Sequence, residues 1–151
     1  MASSIKQLIS ITDTQGVYNY INSAYADALG IEQTNINSES QQHYFHQDMP
    51  KSIIAEINQT LAKGFSWQGL IQFKNSNNQD VWLDAFITPQ YQNGQVTGYQ
   101  SIATLAKPDL IKRASSIYQA INDNNTWANL EISKNHKFAF LLAISAIAQY
   151  F

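Results

Sequence analysis

Apolar positions along this chain change period several times, and each change marks a new element. Leu8-Ile9-Ser10-Ile11 is a short β-prone run, and Asp13-Thr14-Gln15-Gly16 has turn composition. Val17 to Ile21 comes next as a second strand, so the two read as a hairpin. Asn22 and Gly30 then bracket a short helix as N-cap and C′ residue, with Tyr25 and Leu29 on one face. Residues 31 to 44 are polar and aperiodic, and predict a loop with one or two short helical turns. Met49, Ile53, Ile57 and Leu61 repeat every four residues, which predicts a longer helix. Its expected N-cap is Asp48, with Pro50 in the first turn and Lys63-Gly64 as the stop.

Three strands are predicted next, at about 65–74, 80–91 and 96–105. In the middle one, Val81, Leu83, Ala85 and Ile87 alternate with Trp82, Asp84 and Phe86, and the pattern leaves open which set faces inward. Asn75-Ser76-Asn77-Asn78 and Gln92-Asn93-Gly94-Gln95 are the turns between them, the second containing Asn-Gly. Pro108 opens a further helix, where Leu110, Ala114, Ile117 and Ile121 make a seam of about one and a half heptads. Residues 122 to 136 are a polar connector, and Phe138 to Phe151 is almost wholly apolar.

A hairpin, a helical middle, a three-stranded meander and a terminal helix make an α+β fold. The short turns leave no room for parallel crossovers, so one five-stranded antiparallel sheet is expected. Helices would cover one face, with a pocket between that face and the long helix. The division is a sensor domain at 1–106, a linker helix at 107–124, and a connector with the start of an apolar segment at 125–151.

Composition narrows the function. Of 151 residues, 44% are hydrophobic, enough to build a core, while only 13% are charged. A net charge of -2 offers no basic face for a nucleic acid, so that partner is excluded. The absence of cysteine removes disulfides, thiolate metal sites and thiol nucleophiles. The N-terminus, Met1 to Lys6, has no apolar signal region. No nucleophile–base pair or phosphate-cradling glycine loop stands out, and no enzyme activity is expected. His43, His46 and Asp48 are close in sequence, but only loop geometry could bring them together, so no metal site is expected.

Four stretches carry a family resemblance. Ile11 to Gly16 with Tyr20-Ile21-Asn22-Ser23-Ala24-Tyr25 after it is similar to the opening of PAS domains, a D-x-x-G turn, a strand and N-x-x-F/Y. His46-Gln47-Asp48-Met49-Pro50 resembles the H-P-D-M-P motif of aerotaxis receptors, and Trp67-Gln68-Gly69 resembles the W-x-G of their next strand. Gly98-Tyr99-Gln100-Ser101-Ile102 resembles the last strand of the family. The match runs over about residues 7 to 121 and implies a PAS sheet in the order 2-1-5-4-3. It also implies the sensor module of a methyl-accepting chemotaxis protein, responding to redox state or a small ligand. The family's best-known ligand is FAD. The resemblance further implies a homodimer that signals through downstream receptor segments to chemotaxis proteins.

On that resemblance the candidate ligand-binding residues are Asn22, His46, Asp48, Ile54, Trp67 and Phe73. Asn22 and Asp48 would serve equally well as helix caps alone. Trp67 is the best aromatic candidate for stacking on a flavin. Several positions depart from the flavin-binding pattern: Phe45 stands where Arg is usual, Phe73 where Asn is usual, Ile54 where an aromatic is usual, and Gln47 replaces the first proline. The loss of that arginine removes a bidentate phosphate donor. A flavin–cysteine adduct is excluded for want of cysteine, and residues 49–63 offer no axial histidine for haem.

Two expectations concern the C-terminal part. The seam at Leu110, Ala114, Ile117 and Ile121 would contribute to self-association, or else pack on its own domain. The run from Phe138 is apolar all round a helix, and its fourteen residues reach about 21 Å, short of a hydrocarbon core of roughly 30 Å. With Lys134, His136 and Lys137 just before it, it is read as the start of a membrane anchor cut short, placing the sensor on the cytoplasmic side of the inner membrane.

Overall fold

A computed structural model describes residues 4–123. The strands are β1 (Leu8–Asp13), β2 (Tyr18–Ile21), β3 (Trp67–Lys74), β4 (Asp80–Gln92) and β5 (Gln95–Leu105). The helices are α1 (Ser23–Leu29), α2 (Lys51–Ala62) and α3 (Pro108–Asn122), with two short 3-10 turns between α1 and α2. All strand pairs are antiparallel, in the order β2-β1-β5-β4-β3. The first and last strands are therefore central neighbours, closed by six paired positions from Leu8↔Ala103 to Asp13↔Gly98. Asn93 and Gly94 both take positive φ in the β4–β5 turn, the backbone that matches the twist of a two-residue hairpin.

Asn22 and Gly30 bound α1 as the sequence indicates. The Asn22 side chain accepts from the Tyr25 N–H, and Gly30 sits in the left-handed region at φ 66°. At α2 the structure corrects the sequence reading. The helix begins at Lys51, its N-cap is Pro50, and Asp48 does not cap it. A residue before proline is pushed out of helical φ/ψ, so Met49 cannot extend the helix back to Asp48. The apolar stripe nonetheless lands as expected, with Met49, Ile53, Ile57 and Leu61 all buried.

Register decides the faces of the sheet. Val81, Leu83, Ala85 and Ile87 are buried toward α1 and α2, while Trp82, Asp84 and Phe86 point the other way. The second face is not bare. Tyr118 of α3 stacks on Trp82 with ring centroids 5.9 Å apart, and its hydroxyl donates to the Leu70 carbonyl at 2.6 Å. Helices thus cover both faces, α3 lying on the one opposite α2. Its buried residues are Leu110, Ala114, Tyr118 and Ile121, with Ile117 only partly buried. The seam proposed for self-association is therefore turned inward onto its own domain. A phenol in place of an aliphatic residue shifts the buried stripe by one position, since Tyr118 has both an aromatic and a carbonyl to meet.

Beyond α3, the sheet face opposite α2 keeps exposed apolar side chains. Phe86 and Ile102 are directly paired across β4 and β5, and Ile102 is paired with Ile9 of β1. The apolar run from Phe138 lies outside the described residues. Among the described residues no helix is long and apolar enough to cross a membrane.

Candidate functional site

Between α2 and the sheet lies a recess lined on the helix side by Ile57, Asn58 and Leu61, and on the sheet side by Ile71, Phe73, Leu83, Ala85 and Ile87. Thr12, Tyr25, Gln41, Tyr99 and Ser101 add polar groups to an otherwise aliphatic wall. The recess measures about 450 Å³ with its open mouth, but only about 30 Å³ is wide enough for a water molecule's centre. That is room for about two waters. A drug-sized ligand occupies a pocket of about 300 Å³ or more, so a larger guest must part these side chains.

One signal for this wall is written in β1, where the expected alternation is inverted. Ser10 and Thr12 are buried toward the recess side, whereas Ile9 and Ile11 sit half-exposed on the other face. Small hydroxyl residues on the inner face lower the wall without leaving unpaired polar groups. The Ser10 hydroxyl bonds to Tyr25, and the Tyr25 and Tyr18 hydroxyls meet at 2.8 Å. Gln41, Asn58 and Tyr99 arrive from a loop, a helix and a distant strand, and no local spacing joins them.

Burial pushes the Tyr25 phenol up to about 12, although hydrogen bonds from Tyr18 and Ser10 pull it the other way. Tyr18 is raised as well, first by burial and then by Tyr25. Both phenols are neutral in the fold and ionise more readily in the unfolded chain, near 10.0. Their contribution to stability is full below pH 10 and is lost as pH rises from there through the folded value. Urea midpoints should hold steady up to about pH 9 and fall above about pH 10, and Tyr25→Phe should fall less steeply. Equal slopes for the two proteins would contradict this assignment.

The residues proposed for ligand contact fall in different places. Phe73 lines the recess and packs on Phe45 with centroids 5.1 Å apart, so the two departures from the family pattern fill one another's space. Trp67 is buried on the recess side of β3 and lies over Gly69, where any Cβ would strike the indole. Its Nε1 is a buried donor with no partner among the described residues. Ile54 packs against the core from α2 but is not part of the recess wall.

Asn22, His46 and Asp48 lie outside the wall. The Asn22 oxygen accepts from the Tyr25 and Ile9 N–H groups, and its amide donates to the Gln7 carbonyl, so it ties α1 to β1. His46 is 7% exposed, and its ring is engaged on both sides. The Asp48 N–H donates to Nδ1 at 3.0 Å, which places the neutral ring's proton on Nε2, 3.1 Å from the Asp80 carboxylate. The imidazole thus locks the turn before α2 to the start of β4. The Asp48 side chain is 70% exposed and points away from the recess, into a second cleft under α3. Among the described residues no group of three acidic or histidine side chains could hold a metal.

A 2-1-5-4-3 antiparallel sheet with a recess between it and a connecting helix is the PAS arrangement, and the chain belongs to the PAS fold family, matched over residues 2–104. It is 29% identical over 119 residues to the aerotaxis receptor of Escherichia coli K12, covering 79% of this chain but 24% of that protein. The chain therefore spans about a quarter of the length of this relative. Among solved structures it is similar to a PAS domain from Colwellia psychrerythraea, at TM-score 0.59 and 20% identity over 66% of this chain and 86% of that one. It is also similar to the dark state of the blue-light photoreceptor Aureochrome1 LOV, at TM-score 0.62 and 13% identity over 79% and 85%. The PAS domain of the fruit-fly ELK potassium channel matches at TM-score 0.57 and 13% identity over 66% and 85%. At these identities the structures share the fold alone.

Proposed function

We propose that this chain is the sensing module of a chemotaxis receptor of the aerotaxis type. A ligand held between α2 and the sheet sets the state of the domain, and the sheet passes that state through α3 to the receptor segments beyond. The observation that carries this reading is the recess, set in a chain that is 29% identical to an aerotaxis receptor. The module works as a signalling domain rather than an enzyme, on the cytoplasmic side of the inner membrane, with the run from Phe138 as the beginning of its anchor.

A flavin is the ligand class we propose, with FAD as the form that the resemblance implies. The aliphatic wall of Ile57, Leu61, Ile71, Leu83 and Ile87 suits the faces of a flavin ring. Thr12, Asn58 and Ser101 supply donors and acceptors suited to its polar edge, and Trp67 Nε1, on β3 but outside the recess wall, is a buried donor without a partner that a ligand parting the wall would meet. The diphosphate of FAD meets no cation in the recess wall, because no Lys or Arg lines it and Phe45 stands where the family pattern has arginine. When bound, the flavin would supply the redox change that is sensed, while this chain's residues bind the ring and exclude water from it.

Signalling would use a homodimer. With the α3 seam turned inward, the exposed pair Ile102 and Phe86, with half-buried Ile9 beside them, is the better candidate surface for it. That row, together with the narrowness of the recess, also favours a second reading: a ligand-free domain that acts only by docking on other receptor segments or on itself.

The functional reading is tested by replacing the matching 119-residue region of the E. coli receptor with this chain. The expected result is a chimera that restores oxygen-guided migration, and that loses it when Trp67 is changed to Phe. A chimera that assembles and couples to the chemotaxis machinery but ignores oxygen would support the docking reading instead.

A further inference from the structure

Three small residues lie side by side on the inner face of the sheet. Gly69 of β3 pairs with Ala85 of β4, and Ala85 pairs with Ala103 of β5, all of them buried. The row is bordered on one side by Ile87 and Ser101 and on the other by Ile71 and Leu83, which line the recess as Ala85 does. Side chains this short leave a flat-floored trough in the sheet, continuous with the recess.

The β3 end of that trough is filled by the Trp67 indole. A Cβ at Gly69 would stand 2.6 Å from Cη2 and 2.8 Å from Cζ2 of that ring, so the indole lies directly on the bare glycine. Cζ2 adjoins the carbon that carries Nε1, so the nitrogen side of the ring faces the trough. Nε1 is the one buried side-chain nitrogen or oxygen without a hydrogen-bond partner among the described residues.

Packing accounts for the ring but not for the nitrogen. Phe would fill the same floor with no polar atom to desolvate, whereas a buried N–H without an acceptor gives up its bonds to water for nothing. The indole gains an acceptor if it turns away. The recess beside it has the opposite shortage, because its 30 Å³ of open space cannot admit a planar ring. Moving the indole off Gly69 answers both, since it clears a flat slot and offers the N–H to whatever enters. A route outward exists: Trp67 opens β3, and Phe65, two residues before it, is exposed.

We infer that the trough over Gly69, Ala85 and Ala103 is a slot for a flat aromatic ring, and that the Trp67 indole is its built-in plug, displaced by the ligand and then donating Nε1–H to an acceptor on the ligand's edge. The inference rests on the recess being the ligand site and adds how that site opens. Apparent affinity is then scaled down by the small fraction of molecules whose plug is already out.

The test uses the full chain and riboflavin, followed by NMR on the Trp67 ring, whose indole N–H signal is the one that disappears in Trp67→Phe. The expected result at saturation is loss of the NOE contacts between the Trp67 ring and the Gly69 Hα protons, with a downfield shift of the Trp67 N–H and an unmoved Trp82 N–H. Gly69→Ala raises the floor of the slot, so riboflavin affinity should fall about tenfold or more. The wild-type titration decides alone if that variant does not fold. A tryptophan that only packs would keep its NOE contacts to Gly69 while riboflavin binds. That outcome, or an affinity unchanged in Gly69→Ala, would overturn the plug and leave the recess as a ligand site. No riboflavin binding at any concentration would overturn both.

Discussion

Tyr118→Ala should detach α3 from the sheet while leaving the sheet itself folded. The side chain is buried, stacks on Trp82, and donates a 2.6 Å hydrogen bond to the Leu70 carbonyl. Truncating a buried aromatic of this size costs about 3–5 kcal/mol. An isolated fifteen-residue helix is marginal in water, so α3 has little to fall back on once its anchor is gone. Hydrogen exchange should speed up through residues 108–122 and change far less in β1, β4 and β5. Tyr118→Phe keeps the ring and loses only the hydroxyl, so a cost of about 0.5–1.5 kcal/mol is expected, with α3 still docked. If both variants leave exchange in α3 unchanged, the helix is held by something other than this contact. In a receptor, the alanine variant should fix the output in one state, because α3 is the only described element leading out of the domain toward the C-terminus.

The second large effect belongs to Trp67. Its indole is 2% exposed and lies over Gly69, so Trp67→Ala empties the volume between β3 and the core. A loss of about 3–5 kcal/mol is expected, most of the stability of a domain of this size, and the protein should unfold near room temperature or require ligand to persist. Trp67→Phe is the informative variant. It removes the Nε1 donor that has no partner. If the donor serves only packing, Trp67→Phe should cost no more than the lost ring area. If it serves the ligand, flavin affinity should drop about tenfold while the apoprotein is scarcely changed, as for other hydrogen bonds lost to a buried polar group. Urea unfolding with and without flavin separates the two.

The sheet could be read from the sequence because its signals are local. The turn at Asp13–Gly16, the Asn-Gly turn at 93–94 and the alternation from Val81 to Ile87 each dictate a neighbour through short-range geometry. The start of α2 could not be placed as simply, because Asp48 has the chemistry of a cap and only the proline two residues later forbids it. The packing of α3 was ambiguous for another reason. Ile117 and Tyr118 are adjacent, and either completes an apolar stripe; the choice was made by Trp82, thirty-six residues earlier. The recess was legible only at Phe73. Its polar groups come from β1, α1, a loop, α2 and β5, which no window of sequence contains together. His46 shows the converse: a motif histidine, conspicuous in the sequence, spends both ring nitrogens on its own backbone turn and on Asp80.

The most direct test of a ligand-sensing recess is thermal unfolding of the full chain with and without added flavin. A guest that binds only the folded state stabilises it by RT ln(1 + [L]/Kd), about 2.7 kcal/mol at one hundred times Kd. For a domain of this length that corresponds to an increase in Tm of several degrees, roughly 5–15 °C. Because no cation lines the recess, riboflavin should bind within about tenfold of FAD, where a phosphate-clamping site would separate them further. The expected result is therefore a concentration-dependent rise in Tm with both flavins, cut to about half in Trp67→Phe at the same flavin concentration. A Tm that stays fixed with riboflavin and FAD alike, in protein that purifies colourless, would contradict a flavin-sensing recess and leave the domain as a docking module.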